Sequence, residues 1–269
     1  MRNPPRKIAF VLAATEHGTM IVNRFDYRLY DEGGGGFGVG FDILRDGSYA
    51  LAEVDTALWL LSLRRKYFGD GVVALDCGAN IGVHTVEWAK CVNGWGEVIA
   101  IEAQERVFYA LAGNIALNNC LNARAIHAAV GAQIGTMRIP TPDYLSPGSF
   151  GSLELRQGER TEFIGQAVDY SDAAAVEIKM ITIDSLGLAR LDFLKIDIEG
   201  MELEALEGAA ACLARCRPVL IVESMKSDKG KLYEALEKQG YRVFEAGINL
   251  LAIHTEDKTL GHFKRVNKR

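Results

Sequence analysis

The stretch Val72-Val73-Ala74-Leu75-Asp76-Cys77-Gly78-Ala79-Asn80-Ile81-Gly82 restricts this chain more than any other. An apolar run of β-formers ends in an acid and passes straight into a glycine-rich turn, and a helical pattern follows over residues 83–92. Doubly wound α/β proteins use this strand–loop–helix unit to grip a nucleotide-like ligand beyond the end of a buried strand. Glycine lets the backbone approach such a ligand closely, and the free N–H groups at the helix start suit a carboxylate. A dinucleotide-binding turn would read G-x-G-x-x-G, its middle glycine admitting a pyrophosphate. Here Asn80 stands in that place, between Gly78 and Gly82. Asp76, Gly78, Ala79, Asn80 and Gly82 are therefore candidate ligand-binding residues, with Asp76 facing an ammonium end.

The rest of the chain supports the unit. Strand-like and helix-like patterns alternate: strands at 72–76, 97–102, 124–130, 192–197 and 218–223, helices at 83–92, 105–118, 201–214 and 228–239. Alternation of this kind means a mostly parallel sheet with helices on both faces. Residues 241–245 and 248–254 are joined too tightly for a crossover helix, so the last strand is expected antiparallel. Residues 131–182 are irregular, with short β-like pieces at 136–139 and 177–183. Before the unit, residues 7–30 read as a β-hairpin turning near His17-Gly18, Gly33–Gly36 as a flexible loop, and residues 50–67 as a helix. The expected organisation is an N-terminal cap (1–70), a main domain (71–254) with an insert (131–176), and a loose basic tail (255–269).

At 269 residues the chain can bury a sizeable core. Its formal net charge of −5 gives no support to nucleic-acid binding. The five cysteines are scattered and complete no zinc site, which fits reduced thiols in a cytoplasmic protein. The basic start followed by Ile8–Ala14 reads as a strand and not as a secretion signal. No run reaches the ~20 apolar residues of a membrane helix.

Other acids fall where the site should lie. Glu102 ends the second strand, where a carboxylate accepts hydrogen bonds from ribose hydroxyls. Gln104 and Glu105 are its neighbours, the latter also a first-turn helix acid. Ala128 and Ala129 lie beyond the third strand and are small enough to stack on an adenine. Lys195-Ile196-Asp197-Ile198-Glu199-Gly200-Met201-Glu202 places Asp197 and Glu199 at the carboxyl edge, two apart and so on one face of a strand. Glu223 ends the next strand. His84 lies in the first turn after the glycine loop, where it is a general-base candidate, and Asn249 lies near the final turn.

The D-x-G-x-x-x-G turn looks like motif I of the S-adenosylmethionine-dependent methyltransferases. Together with Glu102 and the K-I-D-I-E-G-M-E stretch, it resembles the FkbM family of these enzymes over residues 70–254. The resemblance implies a seven-stranded methyltransferase sheet and O-methylation of a sugar or natural-product hydroxyl. It implies Asp76, Gly78, Asn80 and Gly82 around the methionine part of the cofactor, Glu102 on its ribose, and Asp197 and Glu199 at the cofactor and acceptor edge. Catechol-type methyltransferases bind a divalent metal with an acid–amide pair, whereas here the pair is Glu223-Ser224, so no metal is expected. The expected reaction is methyl transfer from S-adenosyl-L-methionine to a hydroxyl oxygen, with Asp197 as base, followed by His84 and Glu223. The alternatives are an NAD-dependent oxidoreductase and a non-catalytic nucleotide-binding protein. The expected acceptor is a small molecule or glycan, such as a bacterial glycan, lipid-linked sugar or secondary metabolite. Neither nucleic acid nor membrane is an expected partner. The N-terminal hairpin offers an edge for a homo-oligomer.

Overall fold

The computed structural model describes residues 6–30, 35–159 and 161–263. Two short antiparallel ribbons open the chain: β1 (Phe10–Thr15) with β2 (Gly18–Asn23), and β3 (Arg28–Leu29) with β4 (Gly36–Phe37). Helices α1 (Val39–Asp46) and α2 (Leu51–Phe68) lead into β5 (Val72–Cys77), α3 (Val83–Cys91), β6 (Gly96–Glu102), α4 (Glu105–Leu117) and β7 (Ala123–His127). A small separate sheet follows, β8 (Ala129–Val130), β9 (Gly135–Ile139) and β10 (Val176–Ile181), in the order β8-β10-β9. The chain then returns through β11 (Phe193–Ile196), α5 (Glu202–Glu207), α6 (Ala210–Cys216), β12 (Val219–Glu223), α7 (Lys229–Lys238), β13 (Tyr241–Ala246) and β14 (Asn249–His254).

The main sheet has seven strands in the order β13-β14-β12-β11-β5-β6-β7. Only β14 runs antiparallel to its neighbours, as the short connection from β13 requires. The chain builds outward from β5 through β6 to β7, then crosses to the other side of β5 for β11 and β12. That reversal leaves a crevice beyond the carboxyl ends of β5 and β11, where ligands bind in sheets of this kind.

The sheet is apolar on both faces. Val72 and Ala74 of β5, Phe193 of β11, and Val219 and Ile221 of β12 pack on one side with α2 and α3. Val73, Leu75 and Cys77, then Leu194 and Ile196, then Leu220 and Val222 pack on the other with α5, α6 and α7. Helices over both faces demand apolar residues on both faces of a strand, which is why Val72–Leu75 of β5 read as a continuous run, with Asp76 the exception at its carboxyl end.

The first seventy residues share this core. Met20, Val22, Ile43, Val54, Leu60 and Leu61 are buried in the same cluster as Val72, Ala74 and Trp88. Buried Arg64 of α2 reaches Asp192, just before β11, at 3.3 Å and also pairs with Asp257. The segment after β14 is correspondingly packed: Lys258–His262 is a 3₁₀ turn with Leu260 buried, so the tail is not loose as far as residue 263. The remainder of the expected tail, and Gly33 and Gly34 of the glycine loop, lie outside the described residues.

Three local expectations change. The helix expected over 201–214 breaks into α5 and α6 at Gly208, where any side chain would collide with the Gly131 carbonyl (Cβ to O, 2.2 Å). The strand expected over 124–130 leaves the main sheet after His127. Its neighbour β6 ends at Glu102, and β10 supplies the next partner for Ala129-Val130. Helix α1, which is not among the sequence expectations, buries Val39 and Ile43 and packs against β1 and β2. Among the described residues no helix is long and apolar enough to cross a membrane.

Candidate active site

A cavity of about 500 Å³ opens over the carboxyl edge of the main sheet. Its floor begins where β5 and β11 end. Asp197 N–H donates to the Cys77 carbonyl at 3.0 Å, which brings the two loops together. Gly78 sits there at φ +79°, and a Cβ on it would lie 1.7 Å from the Asp197 carbonyl oxygen. Only glycine fits so close an approach. The next turn places Asn80 at φ +51°, a conformation that asparagine tolerates better than most residues, and its own Oδ1 accepts from Ile81 N–H at 2.7 Å.

Glu102 is the centre of this half. Its Oε2 accepts from Asn80 N–H at 2.9 Å and its Oε1 from Gln104 N–H at 2.8 Å, so it is held rigidly although it is buried. Burial pushes its carboxyl up to about 7, against the lowering effect of those N–H groups. Ala128, Ala129, Val130 and Ile101 make a small apolar wall beside it.

Lys195 occupies the middle of the floor. Its ammonium is 2.8 Å from Asp197 Oδ2 and 4.0 Å from Asp76 Oδ1. Burial disfavours the ammonium, but the Asp197 and Asp76 carboxylates outweigh it and hold Lys195 charged. Asp76 itself is fully buried and does not line the cavity; its Oδ2 accepts from Thr85 Oγ1 at 2.7 Å. Gly82 also lies beneath the lining, its φ of +89° opening α3 and its Cα face packed on Leu111. Gly78, Ala79, Asn80, Glu102, Ala128, Ala129, Asp197 and Glu199 all line the cavity.

The other half is assembled from distant segments. His84 is buried, with its Nε2 unpartnered by hydrogen bonds and 3.5 Å from Glu53 Oε2 on α2. Glu53 Oε1 accepts from Asn249 Nδ2 at the start of β14. The His84 imidazole, Lys195 and the Asn249 amide hold the Glu53 carboxyl below its usual range, against the raising effect of burial. Glu223 ends β12 with Oε2 buried and unpartnered. Burial, joined by Asp197, Glu199 and Glu202, pushes it up to about 8. An unpaired buried polar group costs about 1–3 kcal/mol, which marks Glu223 and His84 as groups suited to a ligand.

A lid closes the top. Phe150–Ser152 forms a 3₁₀ turn in the insert, and Gly151, Ser152 and Leu153 face the cavity. Buried Asp26 accepts from Phe150 N–H at 2.9 Å, and Gln104 Nε2 donates to the Phe150 carbonyl at 2.8 Å. Lys226 donates to the Ser152 carbonyl at 2.7 Å and pairs with Glu162 and Glu199, so one ammonium ties lid to floor. Tyr144 and Phe150 pack together behind the lid, the rings 4.9 Å apart, and neither lines the cavity.

The strand argument for Asp197 and Glu199 does not hold in detail. β11 stops at Ile196, and Glu199 (φ +57°) and Gly200 (φ +97°) form a left-handed loop. Both acids reach the cavity by that loop and not by strand alternation. Glu105 stays at the helix surface, bonded to Tyr109. Sequence reasoning missed Glu53, Lys226 and Asp26. Glu53 looks like an ordinary first-turn helix acid, and nothing local in the sequence ties it to His84 or Asn249. Lys195 stood inside the quoted motif, but its pairing depends on the β5–β11 register.

Residues 76–243 match the family model described as the methyltransferase FkbM domain. Among curated proteins, the chain is 26% identical over 157 residues to methyltransferase sdnD of Sordaria araneosa, covering 50% of this chain and 59% of that protein. Among solved structures, a methyltransferase FkbM from Methylobacillus flagellatus is 18% identical with a TM-score of 0.47, over 80% of this chain and 60% of that one. A SAM-dependent methyltransferase from Aquifex aeolicus is 14% identical with a TM-score of 0.37, over 77% and 97%. The chain spans about three fifths of the length of the first relatives it matches.

Proposed function

Because this chain belongs to the FkbM methyltransferase family, we propose that it transfers a methyl group from S-adenosylmethionine to an acceptor hydroxyl. The observation that carries the reading is the rigid, buried Glu102 carboxylate, set between the glycine turn and the small apolar wall of one cavity. The donor set fits the cofactor. Glu102 accepts from a ribose diol, Ala128 and Ala129 flank an adenine, and the Gly78 cradle gives room for the amino-acid arm, whose charged ends meet Asp197 and Lys195. Bound there, the cofactor supplies an electrophilic methyl group on a sulfonium.

The remaining work falls to the chain. Holding two reactants in register lowers a barrier by up to about 7–11 kcal/mol, and the lid fixed by Asp26, Gln104 and Lys226 excludes water while it does so. An alcohol is a poor nucleophile until its proton is taken, an assistance worth about 10²–10⁴ in rate. Asp197 is committed to Lys195, so the acceptor half supplies the base. With Nε2 turned toward Glu53, Nδ1 of His84 is left to take the proton, and Glu53 stabilises the charge that results. Glu223, carrying its own proton near neutral pH, donates a hydrogen bond within the same space.

Calorimetric titration tests the reading. S-adenosylhomocysteine, the demethylated product, is expected to bind, and NAD to leave no heat. Tight NAD binding with no adenosyl binding would remove the methyl-transfer proposal. Mass spectrometry of a panel of alcohols incubated with enzyme and donor then checks the oxygen as acceptor.

A further inference from the structure

Resting on the methyl-transfer reading, we infer that the acceptor half of the cavity takes an amphipathic alcohol, a hydroxyl borne on an apolar body, in preference to a free sugar or an amine. The buried end holds His84 and Glu223, with the half-buried Glu53 beside them, all side chains that exchange hydrogen bonds with a hydroxyl. Glu223 Oε2 is buried there without a partner, and buried His84 stands with its Nε2 3.5 Å from Glu53. The outer end of the same cavity is apolar. Tyr30, Phe37, Met225 and Ile248 line it, and three of them are strongly exposed: Tyr30 at 57%, Met225 at 63% and Ile248 at 51%.

These four come from separate places: the β3–β4 ribbon, the loop after β12 and the turn between β13 and β14. Loops and turns are solvent-facing positions where polar residues are the norm, so nothing in the local fold calls for apolar side chains at all of them. Their convergence on one opening is the mark of a surface built for an apolar partner. Tyr30 and Phe37 already pair at 5.7 Å, a tilted aromatic wall on one side of the mouth.

Charge decides between alcohol and ammonium. The acids facing the cavity are largely spoken for: Asp197 by Lys195, Glu199 and Glu162 by Lys226, and Glu53 by His84 and Asn249. Asp42 stands at the opening, paired with Arg45 at 3.2 Å. In the acceptor half the carboxyl without a counter-ion, Glu223, is pushed upward by its burial and so is neutral near pH 7. A neutral, hydrogen-bonding floor below an apolar rim fits a neutral hydroxyl.

Isothermal titration of the full chain, saturated with S-adenosylhomocysteine, with n-hexyl β-D-glucoside, glucose and hexylammonium in turn tests this. Hexyl glucoside is expected to bind at least about tenfold tighter than either of the others, from burial of its chain at the rim. Met225→Ser and Ile248→Ser should each weaken it by about three- to tenfold. Equal affinity for glucose and hexyl glucoside overturns the apolar body, and tighter binding of hexylammonium overturns the hydroxyl. Binding of none of the three overturns both, and full retention of affinity in the two serine variants overturns the apolar body. Failure of S-adenosylhomocysteine itself to bind is a different result: it removes the donor reading, and this inference with it.

Discussion

The two halves of the cavity are built in opposite ways. The donor half is held chiefly by backbone: Gly78, Asn80 and Glu102 are fixed by main-chain hydrogen bonds at two adjoining strand ends, and the β11 loop closes on them through the Asp197 N–H. The acceptor half consists of side chains brought together across long stretches of chain, as in Asn249 to Glu53, which are 196 residues apart. Backbone-built sites tolerate almost no change of shape. Side-chain-built sites lose function piece by piece while the fold survives.

The contrast is sharpest at Gly78. Gly78→Val would force the β5 and β11 loops apart and place a branched residue at positive φ, at an expected cost of about 3–5 kcal/mol. Chemical denaturation should show it, with donor binding lost as well. A fully stable variant would mean that the two loops are not locked together. Next in size is His84→Asn, expected to leave affinity for S-adenosylhomocysteine within about twofold while turnover falls by about 10²–10⁴. Parallel loss of donor binding would instead tie His84 to the donor half.

Glu102→Ala should do the reverse, weakening the donor by about 10–100-fold because a buried acceptor goes and the Asn80 and Gln104 N–H groups lose their partner. Calorimetry measures it directly, and unchanged affinity breaks the assignment of the ribose. Glu223 separates the halves by pH. An acid whose folded pKa exceeds its ordinary 4.5 holds its proton more tightly when folded. The stability that Glu223 contributes is therefore fully present at low pH and is lost as pH climbs from about 4.5 through about 8. Glu223→Gln should match the wild type near pH 4.5 and melt higher above pH 8, by about 2–4 °C for each kcal/mol relieved. Identical melting profiles would show that Glu223 is ionised without cost. The smallest effect expected is Asn249→Ala, which frees one oxygen of Glu53 and should slow turnover by about three- to tenfold with donor affinity intact.

The same contrast explains what could be read in advance. The mostly parallel sheet, the antiparallel last strand, and the glycine turn before α3 follow from patterns a few residues long, because period-two apolar runs and φ-demanding turns are written locally, whereas the seven-stranded architecture is implied by the family resemblance. Asp76 shows the limit within the motif. Its position in the pattern is plain, yet it lies under the cavity, bonded to Thr85, because β5 turns it to the buried face. The left-handed Glu199–Gly200 loop also escaped a strand-based reading, since pairing to β5 and β12 ends before it.

From its sequence alone this chain declares a doubly wound sheet, a glycine-cradled ligand turn and an acid at the next strand end, each encoded by residues adjacent in the chain. Tertiary structure alone decided that α2 of the N-terminal segment completes the site, that Lys226 fastens the lid, and which acids are paired and which stand unpartnered. The reason is physical: hydrogen-bond partners, burial and the carboxyl shifts they cause depend on side chains whose separation in sequence carries no signal of their closeness in space.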